Sequence, residues 1–121
     1  MTAAEWKKRI TDACEAVGTY KPAFEAVIDT LSDILERRDD ARKVFEDSGR
    51  ELIVEHTNAK GATNLEQNPV IRMINDLNRD ALAYWRDLGL TPAGLKKIDE
   101  RALKEQKKTS LSDLLKGIGN E

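Results

Sequence analysis

Six basic side chains stand within thirteen residues of this sequence, Lys96, Lys97, Arg101, Lys104, Lys107 and Lys108, with Asp99, Glu100 and Glu105 among them. Lysine and arginine at that density are the residue types that contact phosphates, an attraction that is independent of base sequence and sensitive to salt. From Gly89 onward there are seven Lys/Arg against five Asp/Glu, whereas Tyr20 to Gly49 holds five against eight. Charge is therefore segregated along a chain whose net charge is only −2. That balance excludes a uniformly basic nucleic-acid binder but not a local basic arm. Two readings of the arm stand at this point, a phosphate-contacting face and a solubilising helix. Lys7, Lys8 and Arg9 form a second, smaller cluster, read either as further phosphate contacts or as a solvated helix face.

Other chemistry is sparse. His56 is the single histidine and Cys14 the single cysteine, which falls far short of a metal-ligand pattern and rules out an internal disulfide. No serine or cysteine stands in a nucleophile-elbow context. The carboxylates are spread over helical segments among Lys and Arg, as i,i+4 pairing would place them. The run Gly89-Leu-Thr-Pro-Ala-Gly94-Leu95-Lys96 imitates a phosphate-binding P-loop, but Leu95 stands where lysine should follow Gly94. No hydroxyl follows Lys96, and Pro92 removes an amide that the phosphate would need. This run reads as a helix-to-helix turn. The expectation is a protein with no catalytic residues, no cofactor and no metal.

The elements that must position these residues are mostly helical. Thr2 with Glu5 three residues on is a capping-box pattern, and Trp6, Ile10, Ala13 and Val17 recur at helical spacing up to Gly18. A second helix begins near Pro22 with two overlapping apolar stripes, Phe24, Ile28, Leu31, Leu35 and Val27, Leu31, Ile34, Ala41, Phe45. Its seam narrows at Arg38, and its expected span of about 40 Å is long for a chain of this size. A third helix starts at Asn68-Pro69, an N-cap with proline in the first turn, and carries Val70, Ile74, Leu77, Ala81, Tyr84 and Leu88, widened by Ile71, Leu82 and Trp85. Gly89 ends it. Thr91-Pro92 then starts the basic helix.

Between the second and third helices, Glu51 to His56 reads as a strand, Asn58 to Gly61 as a type I turn and Ala62 to Leu65 as the return strand. A lone hairpin is marginal in water, so this one packs on its own subunit or pairs with a neighbour. Its edge residues are Ile53, Val54 and Leu65. The expected fold is mainly α, an antiparallel long-helix pair linked by a short β-hairpin at about 51–65, with an N-terminal helix, a basic C-terminal helix and the capacity to form oligomers. Residues 1–106 make one domain and 107–121 a flexible tail. In that tail Leu111, Leu114, Leu115 and Ile118 form either a frayed end or a docking segment. No apolar run approaches the roughly 20 residues a membrane span needs and no signal-peptide pattern is present, so the reading is a soluble, intracellular protein without a membrane partner.

Four motifs in order, Tyr20-Lys-Pro-Ala-Phe-Glu25, His56-Thr-Asn-Ala-Lys-Gly-Ala-Thr-Asn64, Asn68-Pro-Val-Ile-Arg72 and Leu88-Gly-Leu-Thr-Pro-Ala-Gly-Leu-Lys-Lys-Ile98, make the stretch from Ala4 to Ile98 resemble the small subunits of tailed-phage terminases, of the P27-like family. The resemblance implies a non-enzymatic subunit in the host bacterial cytoplasm. Such subunits form ring-like homo-oligomers, engage viral double-stranded DNA, and regulate a large subunit that supplies ATPase and nuclease activity. It assigns no DNA-contacting residues; Lys96, Lys97, Arg101, Lys104, Lys107 and Lys108 are proposed first on charge, and Lys7, Lys8 and Arg9 second. Phe24, Ile28, Leu31, Leu35, Ile74, Leu77, Tyr84 and Trp85 are assigned to core and oligomer contacts. The tail leucines with Ile118 are assigned to large-subunit docking. The alternative is a helical adaptor that binds protein and not DNA.

Overall fold

A computed structural model describes residues 1–119, with side chains described as far as Gly117. The order of elements is α1 (Ala3–Val17), a 3₁₀ turn (Pro22–Phe24), α2 (Glu25–Asp47), β1 (Ile53–Thr57), β2 (Thr63–Gln67), α3 (Pro69–Asp87) and α4 (Pro92–Gly119). The helical boundaries follow from their caps. Thr2 accepts the Glu5 amide at 3.2 Å, Asn68 accepts that of Val70 at 3.1 Å and Thr91 accepts that of Gly94 at 3.0 Å. The capping box at α1 is only half formed, because the Glu5 carboxylate accepts from the Thr2 hydroxyl and not from its amide. At the other ends, Gly18, Gly49 and Gly89 each follow the last turn. In each case the next amide reaches back to a carbonyl five residues earlier: Thr19 to Cys14, Arg50 to Phe45 and Leu90 to Trp85.

The core lies between α1, α2 and α3. Ile10, Cys14, Ile28, Leu31, Ile34, Leu35, Ala81 and Leu88 are buried, and Trp6, Tyr20, Val27, Leu77, Tyr84, Trp85 and Leu90 close around them. α2 and α3 pack against one another. Arg38 reaches Asn78, and Phe45 shares a cleft with Ile71 and Ile74. Ile28, Leu31 and Leu35 of the expected seam are fully buried, and Ile74 is half-buried. Two positions of the expected stripes are exposed in the single chain. Phe24, at the end of the 3₁₀ turn, is 37% exposed. Val17 is 39% exposed while Cys14 is buried, although both share the face of Ile10; Val17 is the last residue of α1.

A polar node bridges α1 to α2. The Asp39 carboxylate accepts from Trp6 Nε1 at 2.7 Å, from the Met1 ammonium at 3.1 Å and from Arg38 Nη2 at 3.2 Å. Arg38 also donates to Asn78 at 3.4 Å and stacks 5.5 Å from the Trp6 ring. Trp6 in turn meets Trp85 edge-on, centroids 6.4 Å apart. Arg38 therefore does not interrupt the seam; it ties α1, α2 and α3 together.

β1 and β2 pair antiparallel, Ile53 opposite Gln67 and Thr57 opposite Thr63, each shifted one or two residues toward the C-terminus from the expected bounds. The Asn58 side chain causes the shift at the turn. It accepts from the amides of Lys60 and Ala62, and so holds 58 to 62 as the loop.

Two consequences can be measured. Burial works to raise the Asp39 carboxyl, but the hydrogen bonds from Trp6, Met1 and Arg38 outweigh it and hold it below the ordinary carboxylate value. The stability it contributes is full above the unfolded value near 3.9 and is lost as pH falls through the depressed folded value. Asp39→Asn should lower stability by about 1–2 kcal/mol at neutral pH. In urea melts the gap to the parent protein should close as the pH is lowered through 4 toward 2. A Cβ at Gly94 would lie 2.2 Å from the Arg86 carbonyl oxygen, and backbone cannot swing aside. The helix-propensity gain of Gly94→Ala, about 1 kcal/mol, is then outweighed by overpacking of about 1–3 kcal/mol. Its melting temperature should fall.

Candidate nucleic-acid interface

α4 is fastened to the rest of the molecule by its first turns only. Gly94 is buried against the Arg86 carbonyl, Leu95 and Ile98 are half-buried, and every described residue from Asp99 to Gly117 is exposed. The helix nevertheless continues unbroken to Gly119. At 3.6 residues per turn, Lys96, Lys97, Arg101, Lys104, Lys107 and Lys108 all fall within an arc of about 140°. Leu95, Ile98 and Ala102 occupy the other side. The spacing 97, 101, 104, 108 that produces this arc is visible in the sequence as steps of four, three and four.

No ion pair among the described residues involves any of the six. Their charges face solvent unneutralised apart from Glu100 within the arc and Glu105 at its edge. The N-terminal trio stands differently. Lys7 bonds Asp29 at 2.9 Å, Lys8 bonds Asp12 at 3.1 Å, and Arg9 lies 5.5 Å from the Trp6 ring. The hydrogen bond and charge of Asp29 raise the Lys7 pKa above its ordinary value. Two of these three charges thus already have carboxylate partners, and the stronger field belongs to α4.

One further cation lies beside the arc that the sequence reading did not single out. Arg86, in the last turn of α3, lines a concavity with Asp87, Gly94, Lys97, Ile98 and Arg101. Arginine in a last turn ordinarily complements the helix dipole, so only the fold of the α3–α4 corner shows it beside Lys97 and Arg101.

The remaining expected sites lie apart from α4's basic face. Ile53 and Leu65 share one face of the hairpin at 62% and 73% exposure, while Val54 is half-buried on the other. His56 lies 3.9 Å from Glu66, beyond hydrogen-bond distance and too exposed to hold a fixed pair. At the base of the hairpin Arg42, Phe45, Glu46, Arg50, Leu52, Ile71, Ile74 and Asn75 line an open cleft of about 450 Å³. Leu111, Leu114 and Leu115 are exposed on α4, on the azimuth of the basic arc and about one turn beyond it. The Ile118 side chain lies outside the described residues. Among those residues no group of three or more metal-ligating side chains converges, and no helix is long and apolar enough to cross a membrane.

Because the α4 cations are exposed and unpaired, the triple substitution Lys104→Ala, Lys107→Ala and Lys108→Ala should leave stability within about 0.5 kcal/mol of the parent. Denaturant titration followed by circular dichroism measures this. A larger loss would reveal a structural role for that face.

The model of the family described as "Phage terminase, small subunit" matches residues 3–105, which include α1, the hairpin, α2, α3 and the first turns of α4. No curated protein and no solved structure matches the chain.

Proposed function

The chain belongs to the phage terminase small-subunit family, and on that premise we propose that it is the DNA-engaging, non-catalytic subunit of a packaging machine, of the P27-like group. Membership suggests a role in phage DNA packaging; the finer assignment rests on this molecule's own surface. The observation that carries it is the basic face of α4, six exposed cations on one arc without an ion pair among the described residues. A row of this kind meets the phosphates of a duplex and releases its counterions, with no need for contacts to base edges.

Assembly into a homo-oligomeric ring fits the apolar side chains left in water at the hairpin end of the molecule. Val44, Leu52, Ile53, Leu65 and Met73 are all exposed there, on and beside a two-stranded sheet whose outer edges lack partners. A neighbouring subunit that covers them would give α2 and α3, read as an antiparallel pair, the outer packing that one copy does not supply. Recruitment of the large ATPase–nuclease subunit is assigned to the exposed leucines Leu111, Leu114 and Leu115 near the end of α4. Residues 1–106 act in this reading as the assembling domain and 107–121 as the docking extension, in the host cytoplasm.

Titration of a fluorescent duplex at increasing salt tests the assignment. Binding should weaken with a log–log slope of about −0.9 for each phosphate neutralised, and the Lys104, Lys107, Lys108 triple-alanine variant should bind all duplex sequences less tightly with a shallower slope. A slope near zero, or a variant that binds as the parent does, would remove α4 as the interface. Mass measurement of the same sample in solution should give a closed oligomer, and a chain that stays monomeric at high concentration would contradict the ring.

A further inference from the structure

We infer that Arg86, Lys97 and Arg101 form a seat for a single phosphate at the α3–α4 corner, the point at which a DNA backbone is anchored before it runs along the basic face of α4. The inference rests on the DNA-binding reading above and adds a residue from the globular body to it. The three cations and Asp87 line one concavity of about 210 Å³. Its formal charge is therefore +2.

None of the three cations and no oxygen of Asp87 forms an ion pair among the described residues. Three like charges held around one hollow repel one another, and a bound anion reverses the sign of that interaction. The corner is held in this shape by backbone contact, since Gly94 sits directly on the Arg86 carbonyl. The backbone of Arg86 is thereby held beside the first turns of α4, which places the root of its side chain next to Lys97 and Arg101. An arginine offers a planar fork of donors suited to two phosphate oxygens, and Lys97 and Arg101 supply the remaining charge from the next helix. Lys97 and Arg101 also belong to the arc that continues through Lys104 and Lys108, so seat and arc form one track.

The chemistry recognised is a phosphate group, whether a diester in duplex DNA or the free ion, and the experiment separates the two. Full-length protein is titrated with a fluorescent duplex across a salt series. Arg86→Ala should weaken binding about 3- to 10-fold and reduce the log–log salt slope by about 1, while Arg86→Lys keeps the slope and Asp87→Asn tightens binding. Inorganic phosphate should displace duplex from the parent protein more than chloride does at equal ionic strength, and that excess should vanish in Arg86→Ala. Several results would overturn the seat. If Arg86→Ala binds as the parent does while the Lys104, Lys107, Lys108 triple variant is weakened, the seat is wrong and the α4 interface stands; if the parent itself does not bind duplex, both fail. A phosphate effect that needs Arg86, without any change in duplex affinity, would make the hollow a free-phosphate site. Melting curves recorded alongside complete the test, because a stability loss that accounts for the binding loss would assign Arg86 to the end of α3 alone.

Discussion

A single hydroxyl joins parts of this chain 69 residues apart: Thr19 Oγ1, buried in the link between α1 and α2, donates to the Leu88 carbonyl at 2.7 Å. Leu88 is the buried C-cap residue of α3, and Gly89 follows it with φ of +73°. A side chain there would meet Thr19 Cγ2 at 3.0 Å and Ile98 Cδ1 at 2.9 Å, in a backbone conformation that already disfavours one. Five residues on, Gly94 rests on the Arg86 carbonyl. The link after α1, the end of α3 and the root of α4 therefore meet within one joint. The direction in which α4 leaves the body depends on it.

At the opposite end of α1 the helices are held by charge and aromatic contact. Asp39 gathers donors from Trp6 and Arg38, and Arg38 spans from the Trp6 face to Asn78. The Arg38 Nε is buried without a partner, so the node is not fully satisfied. Such a node specifies how the three helices align more than it adds net stability, since desolvation offsets much of the attraction. The apolar positions above and below it supply most of the driving force.

Element ends were the most legible part of the sequence, because capping chemistry is local. Thr2, Gly18, Asn68-Pro69, Gly89 and Thr91-Pro92 mark helix boundaries that the structure shares to within a residue. The basic run from Lys96 to Lys108 was equally legible as charge. What could not be read were facts that depend on distant partners. Nothing local distinguishes Asp39 from Asp40, yet one is the hub of a node and the other is exposed. Arg86 looks like any cation in a last turn until α4 is folded over it. Gly94 was visible as part of a motif, but its reason is a carbonyl oxygen eight residues earlier.

The free length of α4 has a mechanical meaning. From Arg101 to Gly119 the rod extends about 27 Å beyond its last half-buried turn, at 1.5 Å per residue. Its only fulcrum is the two-glycine joint at Gly89 and Gly94. A tilt of 10° at that fulcrum would sweep the far end, about 37 Å from Gly94, through about 6.5 Å, a little more than one helical pitch. The close packing of two backbones thus acts as a stiff hinge whose small motions are geared up at the tip, where ångström shifts in the body become displacements the size of a side chain.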